Sequence, residues 1–206
     1  MKISFHGANK DVTGSCHLIE CAGKKILIDC GLFQGGRDLS EENAEDFGFN
    51  PADIDFLLLT HAHLDHCGRI PLLVKRGFKG EIITSSASKD LARLVLLDSA
   101  HLQEADARSQ ARKQQRHSQK KVLSEEPLYT LYDATRSFDY FGRIAHYNKA
   151  IKVAAGITAT FYDAGHILGS ASIHLELKEA RKTCWVVFSG DIGSNGRKIL
   201  RDAVVP

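Results

Sequence analysis

The stretch Ile54-Asp55-Phe56-Leu57-Leu58-Leu59-Thr60-His61-Ala62-His63-Leu64-Asp65-His66 decides the fold, and it joins two different patterns. Its first part, up to Leu59, is a nearly continuous apolar run, which is typical of a central strand covered on both faces. Its second part, from His61 onward, places three histidines and one aspartate within six residues. We predict that the strand ends at Thr60 and that a helix begins within the second part.

The spacing H-x-H-x-D-H suits metal binding. In extended backbone, His61 and His63 project to the same side and can share one ion, whereas Asp65 and His66, past the turn, can face a neighbouring position. The pattern therefore has room for two metal ions. In the structural alternative, the histidines are polar loop residues and Asp65 caps the N-terminus of a helix.

The ligand types indicate which metal to expect. Nitrogen and carboxylate ligands without thiolate favour zinc, ahead of manganese or iron. Closed, cysteine-rich tetrahedra are typical of purely structural zinc sites, and this pattern differs from them. We therefore expect Zn²⁺ in an open, catalytic site.

Other candidate site residues follow predicted strands elsewhere in the chain. His166 lies in the glycine-flanked stretch Asp163-Ala164-Gly165-His166-Ile167-Leu168-Gly169-Ser170, and Asp191 directly follows Gly190. Both are candidate metal ligands. Asp29, at the end of another strand, is expected to orient a ligand imidazole without touching the metal. The structural alternative for Asp29 is a turn-forming aspartate before Gly31.

The hydrophobic pattern predicts strands on both sides of a helical region. The predicted strands cover residues 2–5, 16–20, 25–29, 54–59, 81–84, 157–162, 172–177 and 183–189. The predicted helices cover residues 70–75, 88–119 and 132–138. This order favours two sheets packed together with helices outside, an α/β (α+β) arrangement.

Composition excludes several classes of protein. The 206 residues include 27 basic and 25 acidic side chains, and a net charge of +2 is too small to indicate nucleic-acid binding by itself. The five cysteines form no C-x-x-C pair, and the N-terminal residues do not resemble a signal peptide, so we expect free thiols and a cytoplasmic location. No apolar run approaches the roughly 18 residues of a membrane span.

The motifs together resemble a known family. The stretches Gly14-Ser15-Cys16-His17-Leu18, Asp29-Cys30-Gly31-Leu32-Phe33-Gln34-Gly35, Thr60 to Pro71, and Gly165 to Ala171 are similar to the β-CASP branch of the metallo-β-lactamase superfamily. That branch contains nucleic-acid-processing nucleases related to RNase J and to the endonuclease of messenger-RNA 3′-end processing. The resemblance implies a four-layer αββα sandwich, expected to be incomplete in this chain, and a metal-dependent nuclease that acts on RNA.

The resemblance also implies a role for each motif residue. One Zn²⁺ would be held by His61, His63 and His166, and a second by Asp65 and His66, with Asp191 between the two ions. A hydroxide bridging the ions would attack the phosphodiester. The implied catalytic residues are Asp65, His66 and Asp191.

The chain departs from the family in its extent. Residues 1–206 correspond to the N-terminal part of a metallo-β-lactamase domain, and the β-CASP domain is expected to be absent from this chain. In relatives, a later segment supplies a further histidine for the second metal. We therefore expect the second site to be weaker and the activity of this chain to be low or absent. The remainder of the polypeptide and a second copy of the chain are both candidate partners.

A basic stripe and two functional alternatives stay open. Four basic residues recur at a spacing of four, which would align them along one helix face: Arg108, Arg112, Arg116 and Lys120. They are candidate RNA contacts, although a solvated helix face is the favoured interpretation. The functional alternatives are a hydrolase of thioesters or lactams with the same fold, and a non-catalytic fragment that binds metal or RNA.

Overall fold

The structure, a computed structural model, describes residues 1–9, 12–35, 42–117 and 126–206, and within 113–117 it describes the backbone only. The strands are β1 (Lys2–Phe5), β2 (His17–Cys21), β3 (Lys24–Ile28), β4 (Phe56–Leu58), β5 (Glu81–Thr84), β6 (Phe141–Ile144), β7 (Ala150–Ala154), β8 (Ile157–Asp163), β9 (Ala171–Glu179) and β10 (Lys182–Phe188). The helices are α1 (Leu64–Cys67), α2 (Ile70–Lys75), α3 (Ser86–His117) and α4 (Leu131–Ser137), with short 3-10 turns at Pro51–Asp53 and Phe138–Tyr140.

The strands form two sheets. One has six strands in the order β1-β2-β3-β4-β5-β6, and the other has four in the order β10-β9-β8-β7. Strands β1 to β3 are antiparallel, whereas β3 to β6 run parallel to one another. The four-stranded sheet is antiparallel throughout. The parallel strands have their carboxyl ends at one edge of the larger sheet, and this edge receives the polar motif at residues 61–66.

An apolar core holds the two sheets together. The larger sheet contributes buried isoleucine and leucine side chains, including Ile26 and Leu58, and the smaller sheet contributes Phe161, Ile173 and Leu175. The alternation in β9 explains this arrangement, because residues of one parity face the core while His174 and Glu176 face away from it. Burial of these side chains is the main force that keeps the sheets packed.

The opposite face of the six-stranded sheet carries the helices. Leu73 of α2, Leu96 of α3 and the fully buried Tyr129 pack there against Leu57 and Leu59. The outer face of the four-stranded sheet bears exposed side chains instead, with Trp185 62% exposed. The α/β sandwich expected from the sequence is thus confirmed for its two central sheets and one helix layer. In the described ranges the second helix layer is absent.

Most of the predicted elements have the expected positions. Strand β5 has the predicted bounds, and β2 and β3 are joined by the tight turn at Ala22 and Gly23, both of which have positive φ. The predicted helix 132–138 corresponds to α4. Strands β6 and β7 were not predicted. No described helix is long and apolar enough to cross a membrane.

Candidate metal centre

The candidate site residues converge where strands of both sheets end. Asp29 directly follows β3, and His61 follows β4, at the carboxyl ends of neighbouring parallel strands. From the other sheet, His166 follows β8 and Asp191 follows β10. A backbone hydrogen bond of 3.0 Å from the Ala171 nitrogen to the Thr60 oxygen joins the two sheets beside this point. The site therefore lies at the seam between the sheets.

Three imidazoles meet at one position. His63 Nδ1 lies 3.1 Å from His61 Nε2 and 3.1 Å from His166 Nε2. Asp191 Oδ2 lies 3.3 Å from His166 Nε2 and 3.7 Å from His61 Nε2. These four ligand atoms all lie within 4.8 Å of one another. Each nitrogen–nitrogen contact has room for at most one proton, so the set fits a divalent cation of the zinc type, which neutral imidazole and carboxylate donors favour.

Burial favours the neutral form of His61 and His166. His61 is fully buried, and desolvation together with the neighbouring histidines lowers its pKa to about 2. Burial also lowers the pKa of His166, against the opposing effect of Asp191. Since only a neutral imidazole offers a lone pair to a metal, this environment preserves the ligand form of both side chains.

A second, smaller group adjoins the first. His66 Nε2 lies 3.3 Å from Asp191 Oδ1 and 3.8 Å from Asp65 Oδ2. Asp191 therefore directs one carboxylate oxygen to each group. Among the described residues, the group of ligand atoms able to hold a single ion contains His61, His63, His166 and Asp191 but not Asp65 or His66.

The buried carboxylate of Asp29 orients the ring of His66 and raises its pKa. Asp29 Oδ2 lies 2.8 Å from His66 Nδ1, which directs the other ring nitrogen, Nε2, toward Asp191. Burial by itself lowers the pKa of His66, but the charge and hydrogen bond of Asp29 outweigh it and raise the pKa to about 9. The carboxylates of Asp29, Asp191 and Asp65 around His66 therefore favour a positive charge at this position.

Thr60 connects Asp29 to both groups. The Thr60 backbone nitrogen donates to Asp29 Oδ1 at 2.8 Å, and its hydroxyl donates to Asp29 Oδ2 at 2.8 Å. The hydroxyl oxygen of Thr60, Oγ1, also lies 3.1 Å from His61 Nδ1. It can accept the N–H of Nδ1, which leaves the lone pair of the ring on Nε2. Sequence reasoning missed Thr60. The available signal was its position directly before His61.

The backbone around the motif is closely packed. Asp29 has a φ of +61°. The backbone oxygens of Asp65 and His66 accept hydrogen bonds of 2.8 Å from the backbone nitrogens of Ser15 and Cys30, respectively. A Cβ atom on Gly31 would lie 1.6 Å from the backbone oxygen of Asp65, so only glycine fits there. The structural alternative for Asp65 is wrong: the N-cap of α1 is His63, without a capping side-chain hydrogen bond, and Asp65 lies inside the helix.

Two cavities border the centre. One, of about 630 Å³, is bordered by His63 and His166 and has mostly aliphatic walls. The other, of about 530 Å³, is bordered by Asp29, His66 and Asp191, with Phe188 and His17 on its walls. Sequence reasoning did not anticipate the role of the segment 197–200, which lines the first cavity.

The described members of the basic stripe, Arg108 and Arg112, do not border either cavity at this centre. Arg108 and Arg112 are exposed on α3, and Arg108 lies 3.8 Å from Glu104. The side chain of Arg116 and the whole of Lys120 lie outside the described residues. Their contact with RNA stays a prediction.

The packed sheets and the histidine–aspartate cluster at their seam point to one superfamily of proteins. The chain belongs to the metallo-beta-lactamase superfamily, whose sequence profile matches residues 9–204.

Within that class, the chain is similar to Ribonuclease TTHA0252 of Thermus thermophilus, with 34% identity over 206 residues, which is 100% of this chain and 41% of the relative. It is 30% identical to Transcription termination factor FttA of Methanocaldococcus jannaschii over 99% of this chain and 29% of that protein. It is also 30% identical to Endoribonuclease YSH1 of Candida glabrata, over 97% and 24%. These relatives confirm the β-CASP resemblance.

A solved structure supports the fold independently. A metallo-beta-lactamase HARLDQ motif mutant of Cronobacter sakazakii matches 96% of this chain and 62% of its own, with a TM-score of 0.54. Its sequence identity of 19% means that the likeness concerns the fold alone. The chain spans less than half the length of the curated relatives reported above.

Proposed function

We propose that this chain carries the metal centre of an RNA phosphodiesterase that uses two Zn²⁺ ions. The first ion would be held by His61, His63 and His166, and the second by Asp65 and His66, with Asp191 between them. The observation that carries this proposal is the position of Asp191, which directs Oδ1 to His66 and Oδ2 to His166, both at 3.3 Å. Such a carboxylate suits two adjacent cations.

The chain's own residues prepare this centre. When bound, a pair of divalent ions lowers the pKa of water and stabilises negative charge on a phosphate. Asp29 and Thr60 hold the rings of His66 and His61 so that Nε2 of each faces the centre. The Asp65 side chain is 21% exposed, so its carboxylate is accessible to water and can orient it by accepting a hydrogen bond.

The surroundings of the centre favour a polymeric substrate. One cavity is bordered by His63 and His166 and the other by His66 and Asp191, so a chain molecule can occupy both while one of its phosphates lies over the cluster. The names ribonuclease and endoribonuclease among the relatives support RNA as that polymer. Neither observation favours a thioester or a lactam.

The two positions are proposed to differ in strength. The first has four donor atoms within 4.8 Å, whereas the second has fewer described donors. We therefore expect the first ion to bind more tightly, and the activity of this chain to be low. The alternative of a non-catalytic metal- or RNA-binding fragment predicts no cleavage at all. A cytoplasmic location and association with a second copy or a further segment stay predictions.

Metal analysis and an RNA cleavage assay test the proposal together. We expect Zn²⁺ to bind in two steps of different affinity, and a labelled single-stranded RNA to be cleaved slowly, with Asp65→Ala abolishing cleavage while RNA binding is kept. A thioester and a chromogenic lactam serve as comparison substrates. Cleavage of either in preference to RNA, or RNA binding without any cleavage, would contradict the proposal.

A further inference from the structure

We infer that the cavity beside His63 and His166 receives the base of a nucleotide next to the scissile phosphate, an inference that rests on the proposed function. The cavity is called the aliphatic slot below. Its volume of about 630 Å³ lies within the range of small-ligand sites. The slot opens directly onto two of the imidazoles of the candidate metal centre.

The walls of the slot come from three parts of the chain. Helix α3, the loop after β8 and the segment after Asp191 each contribute two aliphatic side chains: Leu91, Val95, Ile167, Leu168, Ile199 and Leu200. Several of them are open to solvent, with Leu168 54% and Ile199 85% exposed. Exposed aliphatic side chains around one cavity favour an occupant with apolar faces.

The rim of the slot is positively charged. Arg197 and Lys198 both border the slot, and none of the described side chains along it is a carboxylate. Arg197 Nη1 donates a hydrogen bond of 3.0 Å to the His166 backbone oxygen, which places its guanidinium beside the metal centre. Two cations next to an apolar cavity complement a molecule that joins a phosphodiester to a flat apolar group.

The position of the slot decides which occupant fits. A group seated against His63 and His166 lies next to the atoms that would hold the first ion, so the apolar group and the reacting group belong to one molecule. A nucleotide has this composition, since both faces of its base are apolar and its phosphate is anionic. The aliphatic walls offer the base edges no hydrogen-bond partner, so this subsite would accept a base without reading its identity.

A cycle that removes the slot wall and the base in turn tests the inference. The Zn²⁺-loaded chain is given a fluorescein-labelled, single-stranded RNA of twelve nucleotides, and the cleaved bond is mapped. The base on either side of that bond is then replaced by an abasic nucleotide. The test variant is Leu168→Asp, and the matched control is Leu94→Asp, because Leu94 is 66% exposed on α3 and does not border the slot.

We expect removal of one base to lower kcat/KM about tenfold in the parent chain and in Leu94→Asp. In Leu168→Asp the same removal should change kcat/KM less than about twofold, because the slot no longer holds the base. Anisotropy of the labelled RNA should report the same coupling in affinity. Ile199→Asp is the second slot variant, to be used if Leu168→Asp loses zinc or unfolds.

Two failures are distinguishable. If RNA is cleaved but base removal affects the slot variants as much as the parent chain, the inference is overturned and the proposed function stands. If the parent chain neither binds nor cleaves RNA, both are overturned. If Leu94→Asp and Leu168→Asp lower kcat/KM equally and respond equally to base removal, the effect belongs to surface charge, and the inference is also overturned.

Discussion

The two halves of the candidate centre differ in how they are built. The first half gathers His61, His63 and His166 from both sheets, and His63 Nδ1 already lies 3.1 Å from a nitrogen of each of the other two. The second half depends on His66, whose orientation is set by the buried Asp29. The first half is therefore a ready donor set, whereas the second relies on a supporting hydrogen-bond network. This difference can be tested by removing each element in turn.

Removal of a donor from the first half should have the largest effect. His63→Ala takes away the nitrogen that contacts both other imidazoles, so we expect loss of the tightly bound ion and a fall in RNA cleavage of more than about 100-fold, since even outer partners of a metal ligand contribute 10–100-fold. Zinc content per chain and cleavage rate are measured. His101→Ala, at an exposed position on α3, is the control. Retention of the tight ion by His63→Ala would contradict the assignment.

Removal of the supporting charge should affect the second half selectively. Asp29→Asn keeps the side chain's size but removes the charge that holds the His66 ring, so affinity for the weaker ion should fall about 10–100-fold while the tighter ion is retained. Zinc titration calorimetry separates the two steps. Asp106→Asn, exposed on α3, is the control. Equal losses in both steps would show that the two halves do not differ as described.

A change at Thr60 should affect both halves to a smaller degree. Thr60→Val removes the hydroxyl that contacts Asp29 and His61, so zinc affinity should fall about threefold to tenfold in both steps. Thr60→Ser keeps the hydroxyl and should restore the parent values. A loss confined to one step, or no rescue by serine, would contradict the bridging role of Thr60.

The smallest expected effect concerns unfolding in acid, which can be distinguished from loss of metal. Hydrogen bonds from Arg143 lower the pKa of Glu81, so ionised Glu81 stabilises the fold above about pH 4.5, and this contribution is lost as the pH falls through the lowered folded pKa. Glu81 is partly exposed, so Glu81→Gln should cost less than about 1 kcal/mol of unfolding free energy at pH 7. Urea unfolding should show this difference in unfolding free energy at pH 7 and no difference in acid. Zinc binding by Glu81→Gln at pH 7 should equal that of the parent chain.

Local patterns made much of the fold predictable. Strand β5 and helix α2 have the predicted bounds, because their apolar residues are contiguous in sequence and end at turn residues. Strands β6 and β7 lie at the edges of their sheets, with exposed residues such as Gly142 and Lys152 and irregular pairing, so their patterns are weak. They form because neighbouring strands offer hydrogen-bond partners, which is tertiary information.

The site was predictable where its chemistry is local. The motif at residues 61–66 carries its own signal, and the positions of His166 and Asp191 after strands were enough to predict that they lie close to it. Thr60 and Arg197 were not recognised, because a threonine or an arginine acquires a role only through what the fold places beside it. For Thr60 this neighbour is Asp29, which precedes it by 31 residues.

Because the centre lies at the seam between the sheets, metal binding is coupled to how firmly the two sheets pack together. A cation held there would take donors from loops of both sheets, and its binding free energy would oppose their separation. We therefore expect amide hydrogens in β8, β9 and β10 to exchange with solvent more slowly when zinc is added. Zinc would then act as a cross-link between the two layers, and chelation would reverse this slowing of exchange.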